Sequence, residues 1–286
     1  MRRLLLIVLC LAPATLFARS RGMSVNYDNR DVTDCSQLRV TFDDAPAATA
    51  EEAVNVADLR SLAVRAARNG GINVSASDSG RFEVKACKAA AVESALNDIR
   101  VSMNGNEVTA DGPDSNRWMV VFLVRTPRGA SLDLSANNGP IALRNVDGTI
   151  TAKAVNGPIS IRESSGTLDL NTTNGPISLD GGSGTAKLVA TNGPITVKLH
   201  GATWDGSLDA RSENGPVSLH IPAAFRSGVV VESEGRGPVS CRAEACRQAR
   251  RTVDDEDNHR IELGSGPTAV HLSTSNGPVS VRESEE

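Results

Sequence analysis

The sequence predicts an all-β protein: a parallel β-solenoid with coils of ~18 residues and an irregular N-terminal β cap. The first observation is a tripeptide, Asn-Gly-Pro, that recurs through the second half of the chain. The second is an alternation of apolar and polar residues on both sides of each tripeptide, which is typical of half-buried strands. The third is the proline itself, which indicates how the strands are connected.

The spacing of the tripeptide indicates stacked repeats. The first three intervals are 18 residues each, the next is 22, and a variant with arginine in place of asparagine, Arg236-Gly237-Pro238, comes before the last copy. A fixed period with a few longer intervals is the mark of a repeat architecture. The repeated asparagines are Asn138, Asn156, Asn174, Asn192, Asn214 and Asn276.

The proline favours parallel stacking over hairpins. In a tight Asn-Gly hairpin, the residue after glycine donates its N–H back across the turn, and proline has no N–H to donate. The corner of a solenoid makes no such demand, so proline can begin the next strand there. We therefore expect like strands to stack about 4.8 Å apart, with the asparagine side chains forming a ladder of amides. A chain of antiparallel hairpins remains the alternative.

Residues 1–18 are predicted to be a signal peptide. A basic start at Arg2 and Arg3 precedes a short apolar run. The run ends at Phe17, and a small residue, Ala18, follows it. This order of basic, apolar and small residues is typical of a secretory signal. Later apolar runs are shorter than a membrane span, so we expect no transmembrane segment after cleavage.

The remaining chain divides into two regions. Residues 19–128 are predicted to be an irregular N-terminal β region in which the repeat is degenerate, as in residues 62–74, where glycine replaces the proline. Residues 129–286 are predicted to be the regular solenoid, with an insertion at residues 241–260. We expect this insertion to be a loop between coils that begins with a short helix, Arg242–Arg251.

Four cysteines follow the predicted cleavage site, and an even count in an exported chain indicates two disulfides. Three pairings are open, of which Cys35–Cys87 with Cys241–Cys246 is favoured because the second pair closes a short loop. A zinc site is the alternative, but the downstream histidines do not have a zinc-site spacing. We predict no metal and no cofactor.

The composition argues against nucleic acid as a partner. The chain has 30 Lys and Arg against 34 Asp and Glu, a net charge of −4, and aromatic residues make up 3%. It therefore has neither the positive charge nor the stacking residues that nucleic-acid binding uses.

The predicted signal peptide and the Asn-Gly-Pro-Ile-Ser-Ile coils, as at residues 156–161, resemble a bacterial β-strand-repeat family of unknown function described as "putative adhesin" (DUF4097). The resemblance covers residues 55–286 and is densest over 129–220. It implies an exported, all-β protein in the periplasm or on the cell surface of a Gram-negative bacterium. The family has no agreed catalytic residues, and we predict none here.

Stacked coils would align their outward side chains into columns. One column holds hydroxyls and its neighbour holds cations, and together they suggest a surface that contacts a glycan or an envelope protein. The candidate contact residues are Ser160, Ser178, Thr196, Ser218, Arg162 and Arg282. We therefore expect a non-enzymatic, structural or adhesive role.

Two other functions are considered. A carbohydrate-active enzyme would use Asp133 and Asp169, about 9.5 Å apart if they lie two coils apart, which is the outer limit for an inverting carboxylate pair. Lys187 would lie beside Asp169 and keep it ionised, which suits ion pairing better. A sensor of envelope stress would use the insertion at residues 241–260 as its contact site.

Overall fold

The computed structural model describes residues 22–27, 32–234, 237–254 and 258–284. The predicted signal peptide, residues 1–18, lies outside this part. The described chain is all-β with mostly parallel strands, as predicted from the repeat. None of the helices in these ranges is long and apolar enough to cross a membrane.

The N-terminal region holds three antiparallel strands that form a sheet of their own, followed by strands that join the main sheets. Short 3-10 helices lie at Cys35–Gln37 and Glu93–Asp98. The strands are β1 (Met23–Tyr27), β2 (Leu38–Phe42), β3 (Ala45–Pro46), β4 (Ala48–Val54), β5 (Ser61–Ala76), β6 (Glu83–Ala90), β7 (Arg100–Asn104), β8 (Glu107–Asp111) and β9 (Trp118–Thr126).

The regular repeats each supply a long strand, a corner and a short strand. Long strands pair in parallel with long strands and short strands with short strands, so the repeats form two sheets. The inward residues of both sheets share one core. The strands are β10 (Ala130–Asn138), β11 (Ile141–Arg144), β12 (Asp147–Asn156), β13 (Ile159–Arg162), β14 (Ser165–Asn174), β15 (Ile177–Asp180), β16 (Gly184–Asn192), β17 (Ile195–Lys198), β18 (Gly206–Asn214) and β19 (Val217–Ile221).

The corners show why the tripeptide contains proline. The N–H of Ile141 donates to the carbonyl of Pro158 in the next repeat at 3.0 Å, and the N–H of Gly157 donates to the carbonyl of Asn174 at 3.1 Å. The residues on either side of proline therefore make the bonds that connect repeats. Proline serves as an acceptor only, so its missing N–H costs nothing here.

The corner glycines are required by close stacking. A Cβ atom on Gly157 would lie 2.1 Å from the carbonyl oxygen of Gly139, far inside the contact distance. The backbone of Gly157 is not left-handed, so the requirement comes from the neighbouring repeat. At the opposite turn, Gly166 combines a φ of 99° with a similar approach, so glycine is needed there for both reasons.

The C-terminal strands do not stack in chain order. The coil formed by β24 (Thr268–Asn276) and β25 (Val279–Glu283) lies between the coil of β18 and β19 and the coil of β20 (Gly228–Ser233) and β21 (Val239–Cys241). The last coil in sequence is therefore enclosed between two others.

The segment at residues 241–260 is not the loop between coils that we expected. A 3-10 helix at Glu244–Gln248 takes the place of the predicted helix Arg242–Arg251, and β22 (Arg250–Val253) pairs antiparallel with β23 (His259–Leu263). β23 pairs with β20 at the end of the stack. The hairpin forms because β20 would otherwise leave an unpaired edge, and the exposed arginines of β22 discourage further pairing.

The N-terminal end is covered in two ways. β9 pairs with the second half of β5, and β6 and β4 extend this sheet with antiparallel strands. The small sheet of β1, β2 and β3 then packs on the outer face of β6 and β9 through a second apolar core that includes Phe42, Met119 and Val121. One part of the predicted irregular cap, the small sheet, therefore forms a third layer on the outer face of β6 and β9.

Candidate functional site

The short strands align the predicted hydroxyl residues on one exposed face. Ser160 is the register partner of Ser178, and the same outward position continues through Thr196 and Ser218. The next neighbour of Ser218 is Ser280, with 3.0 Å between the two hydroxyl oxygens. The sequence places Ser240 before Ser280, and the structure reverses them because the last coil is enclosed.

The neighbouring column contains the predicted cations but is mixed in sign. Arg162 is the register partner of Asp180, and Arg282 is the partner of His220 farther along. His200, from the turn after β17, lies 3.0 Å from Asp180 and 3.1 Å from Glu163. This face therefore presents hydroxyls beside charges of both signs.

The repeated asparagines form a ladder at the corner. Each Nδ2 donates to the Oδ1 of the preceding repeat, at distances of 2.9 to 3.1 Å from Asn156 to Asn276. The Nδ2 of Asn138 reaches Asn69 at 3.5 Å. Because these amides bind one another, their role in the structure is to hold the coils in register.

The predicted cysteine pairs are both disulfides in the structure. Cys35–Cys87 spans 52 residues and ties the small sheet to β6, and Cys241–Cys246 spans 5 residues at the other end. Disulfides are rare in the reducing cytosol, so two of them indicate an extracytoplasmic protein.

The aspartates on the long strands form ion pairs. Asp133 contacts Arg65 at 2.5 Å, and this hydrogen bond is the main cause that lowers the pKa of Asp133 below its ordinary value. Asp169 has Lys187 as its register partner. A carboxyl group with a lowered pKa is ionised near neutrality, which does not suit the general acid of a glycosidase.

A charged cluster at the C-terminal end was not predicted. His271 lies 2.9 Å from Glu232 and 3.3 Å from Asp209, and Arg260 also binds Glu232. Burial raises the pKa of Glu232, but the bonds from His271 and Arg260 outweigh it, so the net shift is downward. The cluster was not predictable from the sequence, because it depends on the enclosed position of the last coil.

Some of the predicted contact residues also line a cleft. A cleft of about 1110 Å³ lies between the small sheet and the face of the short strands, and Ser160, Ser178 and Arg162 are among its lining residues. Thr196, Ser218 and Arg282 lie farther along the face, outside the cleft. The predicted contact surface therefore has two parts, one inside the cleft and one on the open face.

Comparison with known proteins places these repeats in context. A family model described as Toastrack DUF4097 matches residues 128–282, more than half of the chain. No curated protein matches the chain.

Several solved structures share some likeness with the chain. A "putative cell adhesion protein" from Clostridium sporogenes is 13% identical, with a TM-score of 0.34, over 83% of this chain and 100% of its own. A "putative adhesin" from Bacteroides fragilis is 11% identical, with a TM-score of 0.37, over 83% of this chain and 97% of its own. A "putative lipid binding protein" from Parabacteroides distasonis is 11% identical, with a TM-score of 0.34, over 83% of this chain and 97% of its own. Likeness at these TM-scores carries no argument about function.

Proposed function

The chain belongs to the Toastrack DUF4097 family, and from this premise we propose that it is a non-enzymatic, exported envelope protein whose short strands present a rigid binding face. The observation that carries the proposal is the column of hydroxyls from Ser160 to Ser280, in register beside a column of charged side chains. The partner we propose is a glycan of the cell envelope.

The regular spacing supports a polymer as the partner. Neighbouring hydroxyls on the face are separated by one strand spacing, about 4.8 Å, so a chain of repeating sugar units meets a repeating set of donors and acceptors. Each contact is weak, and several contacts made together give a useful affinity. Backbone bonds across the stack fix the column before binding, so little order has to be gained on association.

The location we propose is the periplasm or the cell surface of a Gram-negative bacterium. The disulfides support a compartment outside the cytosol. The apolar segment before Ala18 supports export.

A glycan array that includes envelope polysaccharides tests the proposal. We expect binding to at least one class of polysaccharide, and the double variant Lys198→Glu, Arg282→Glu should weaken it roughly tenfold because it reverses two cations of the open face. The double variant Lys153→Glu, Lys187→Glu makes the same two charge reversals on the long strands, on the other side of the core, and should leave binding unchanged. Absence of binding across the array, or equal loss in all variants, would contradict a glycan-binding face.

A further inference from the structure

The cleft beside the small sheet has a floor made of two columns of the short-strand face. The first column runs from Leu123 through Asn73 and Ala142 to the serines, and the second runs from Arg125 through Ser75 to Arg144 and beyond. The floor crosses strands from β6 to β15, five strand spacings or about 24 Å. The cleft is therefore long, and it runs across the strands.

One end of the cleft is aliphatic. Val25 and Val32 of the small-sheet region and Leu123 of the floor line it. Val25 is half-buried, and Val32 and Leu123, each 7% exposed, also belong to the second apolar core. Among the lining side chains that the structure describes, the aromatic one is Phe82, and it belongs to the inner core. Sugar rings usually stack on exposed aromatic rings, whereas an alkyl chain packs against aliphatic surface.

The other end is cationic. Of the lining residues that the structure describes, four are cations and two are acids. Both acids lie near cations at the small-sheet end, Asp34 by Lys85 at 3.1 Å and Glu83 by Arg125 at 4.0 Å. Arg144 and Arg162 stand in adjacent register positions where the floor leaves the small sheet, and Asp180 follows Arg162 in the same column. Guanidinium groups at this spacing suit a carboxylate or a phosphate.

A polar donor lies between the two ends. The Nδ2 atom of Asn73 is buried and has no hydrogen-bond partner within the described part of the chain. A buried donor without an acceptor is unfavourable, because it has lost its hydrogen bond to water and gained none in return. An oxygen atom of a ligand on the floor would satisfy it.

We propose that this cleft binds an anionic amphiphile, a long aliphatic chain that ends in a carboxylate or a phosphate. The chain lies against Val25, Val32 and Leu123, and the anionic group lies by Arg144 and Arg162. Asn73 donates to an oxygen of the head group. The site shares Ser160, Ser178 and Arg162 with the proposed glycan-binding face. The two proposals can still fail separately, because a protein that binds the amphiphile and no glycan on the array would retain this site.

Isothermal titration calorimetry of the purified, oxidised protein tests the site with two probes, palmitate and hexadecyl phosphate, kept below their micellar concentrations. We expect both to bind. Neutral monopalmitoylglycerol should bind about tenfold more weakly because it lacks the charge. Glycerol 3-phosphate should bind more than about 100-fold more weakly, since each buried methylene contributes about 0.8 kcal/mol. Equal binding of glycerol 3-phosphate would overturn the amphiphile and leave only an anion site.

Variants locate the binding. Ser160→Trp fills the floor and should abolish binding, whereas Thr185→Trp, an exposed position on the long strands, should not change it. Arg162→Met should weaken binding about tenfold, and Lys187→Met should have no effect. Asn73→Leu keeps the size and removes the donor, with an expected loss of roughly fivefold.

Thermal unfolding of each variant establishes that it folds. Failure of both probes to bind the folded wild type would overturn the proposal, and so would unchanged binding by folded Ser160→Trp. Tighter binding of an acidic peptide than of either probe would overturn it in favour of a protein partner.

Discussion

The Nδ2 of Asn156 donates a 2.9 Å hydrogen bond to the Oδ1 of Asn138, the equivalent asparagine one repeat earlier in the chain. Identical side chains can bond in this way only if the repeats run in the same direction and in the same register. The bond therefore links the sequence period to the flat exposed face on which both functional proposals depend.

Removing an asparagine from the middle of the ladder should lower the stability of the protein more than removing the one at its end. The side chain of Asn174 makes a hydrogen bond to each neighbouring asparagine of the ladder, at 2.9 and 3.1 Å. Within the described part of the chain, Asn276 makes one ladder bond, to Asn214. At about 1 kcal/mol per bond, Asn174→Ala should lower the free energy of unfolding by about 2 kcal/mol and Asn276→Ala by about 1. Urea denaturation measures both, and equal losses would contradict a cooperative ladder.

A methyl group at a corner should not be tolerated. Gly157→Ala places a Cβ 2.1 Å from the backbone oxygen of Gly139 in the preceding repeat, so the stack must open or shift. We expect a loss of about 2–4 kcal/mol in stability. The control is Gly266→Ala, where the nearest atom is 3.7 Å away and the change should be within about 1 kcal/mol. A mild effect at Gly157 would mean that the coils are less tightly stacked.

The two disulfides should differ in their contribution to stability. The longer loop of Cys35–Cys87, whose partners are separated by 52 positions in the sequence, restricts the unfolded chain more than the loop of Cys241–Cys246, whose partners are separated by 5. The entropy model gives roughly 4 kcal/mol for the first and roughly 2 for the second. Paired Cys→Ser variants in chemical denaturation check this order, and a larger loss for the shorter loop would contradict it.

Acid should weaken the N-terminal cap through Asp34. Hydrogen bonds from the backbone and side chain of Ser36, and then from Lys85, lower the pKa of Asp34 from 3.8 to about 2. A lowered folded-state pKa means that the stabilisation is complete above pH 3.8 and is lost as the pH falls towards about 2. Asp34→Asn should therefore be less stable than the wild type at pH 6 and equal to it at the acid end.

Ser36→Ala is the matched test of the cause. It removes the hydroxyl bond but retains the backbone bond, so the same pH dependence should shrink without disappearing. Unfolding followed from pH 6 to pH 2 would contradict the assignment if all three proteins lost stability in parallel.

The last coil should support the one that precedes it in the chain. Truncation after Leu263 removes β24 and β25, which lie between β18–β19 and β20–β21. The outer coil then loses its parallel partner, and we expect residues 228–263 to exchange amide hydrogens much faster while β10 to β16 stay protected. Retained protection of residues 228–233 would contradict the enclosed position of the last coil.

The fold of the regular repeats could be predicted from the sequence, because every repeat has the same tripeptide at its corner. The 18-residue period brings Asn138, Asn156 and Asn174 to one position, and the missing N–H of Pro140 disfavours a tight hairpin at that corner. The parallel strands of the fold were predictable from these facts.

The order of the last coils was not predictable. Val239-Ser240-Cys241 and Val279-Ser280-Val281 both fit the strand pattern, and the choice between them depends on which edge the β22–β23 hairpin covers. That choice is a tertiary effect, and it also creates the contacts of His271.

The cleft was not predictable either. The small sheet at residues 23–46 has no repeat, so nothing local indicates the face on which it packs. Its place is set by apolar contacts with Met119 and Val121 and by the disulfide at Cys87, all distant in sequence. The serines predicted as an open surface are for this reason partly covered.

The most direct test of the stacked, in-register face is a set of distances between spin labels. Labels on Ser160 paired with Ser218, Ser280 and Ser240 in turn should be about 14, 19 and 24 Å apart along the stack, rising by one strand spacing each time. Dipolar broadening of the continuous-wave spectrum measures the shortest distance, and double electron–electron resonance measures the two longer ones. A rise in the order Ser218, Ser280, Ser240 agrees with the account, whereas a shorter distance to Ser240 than to Ser280, or no regular increase, would contradict it.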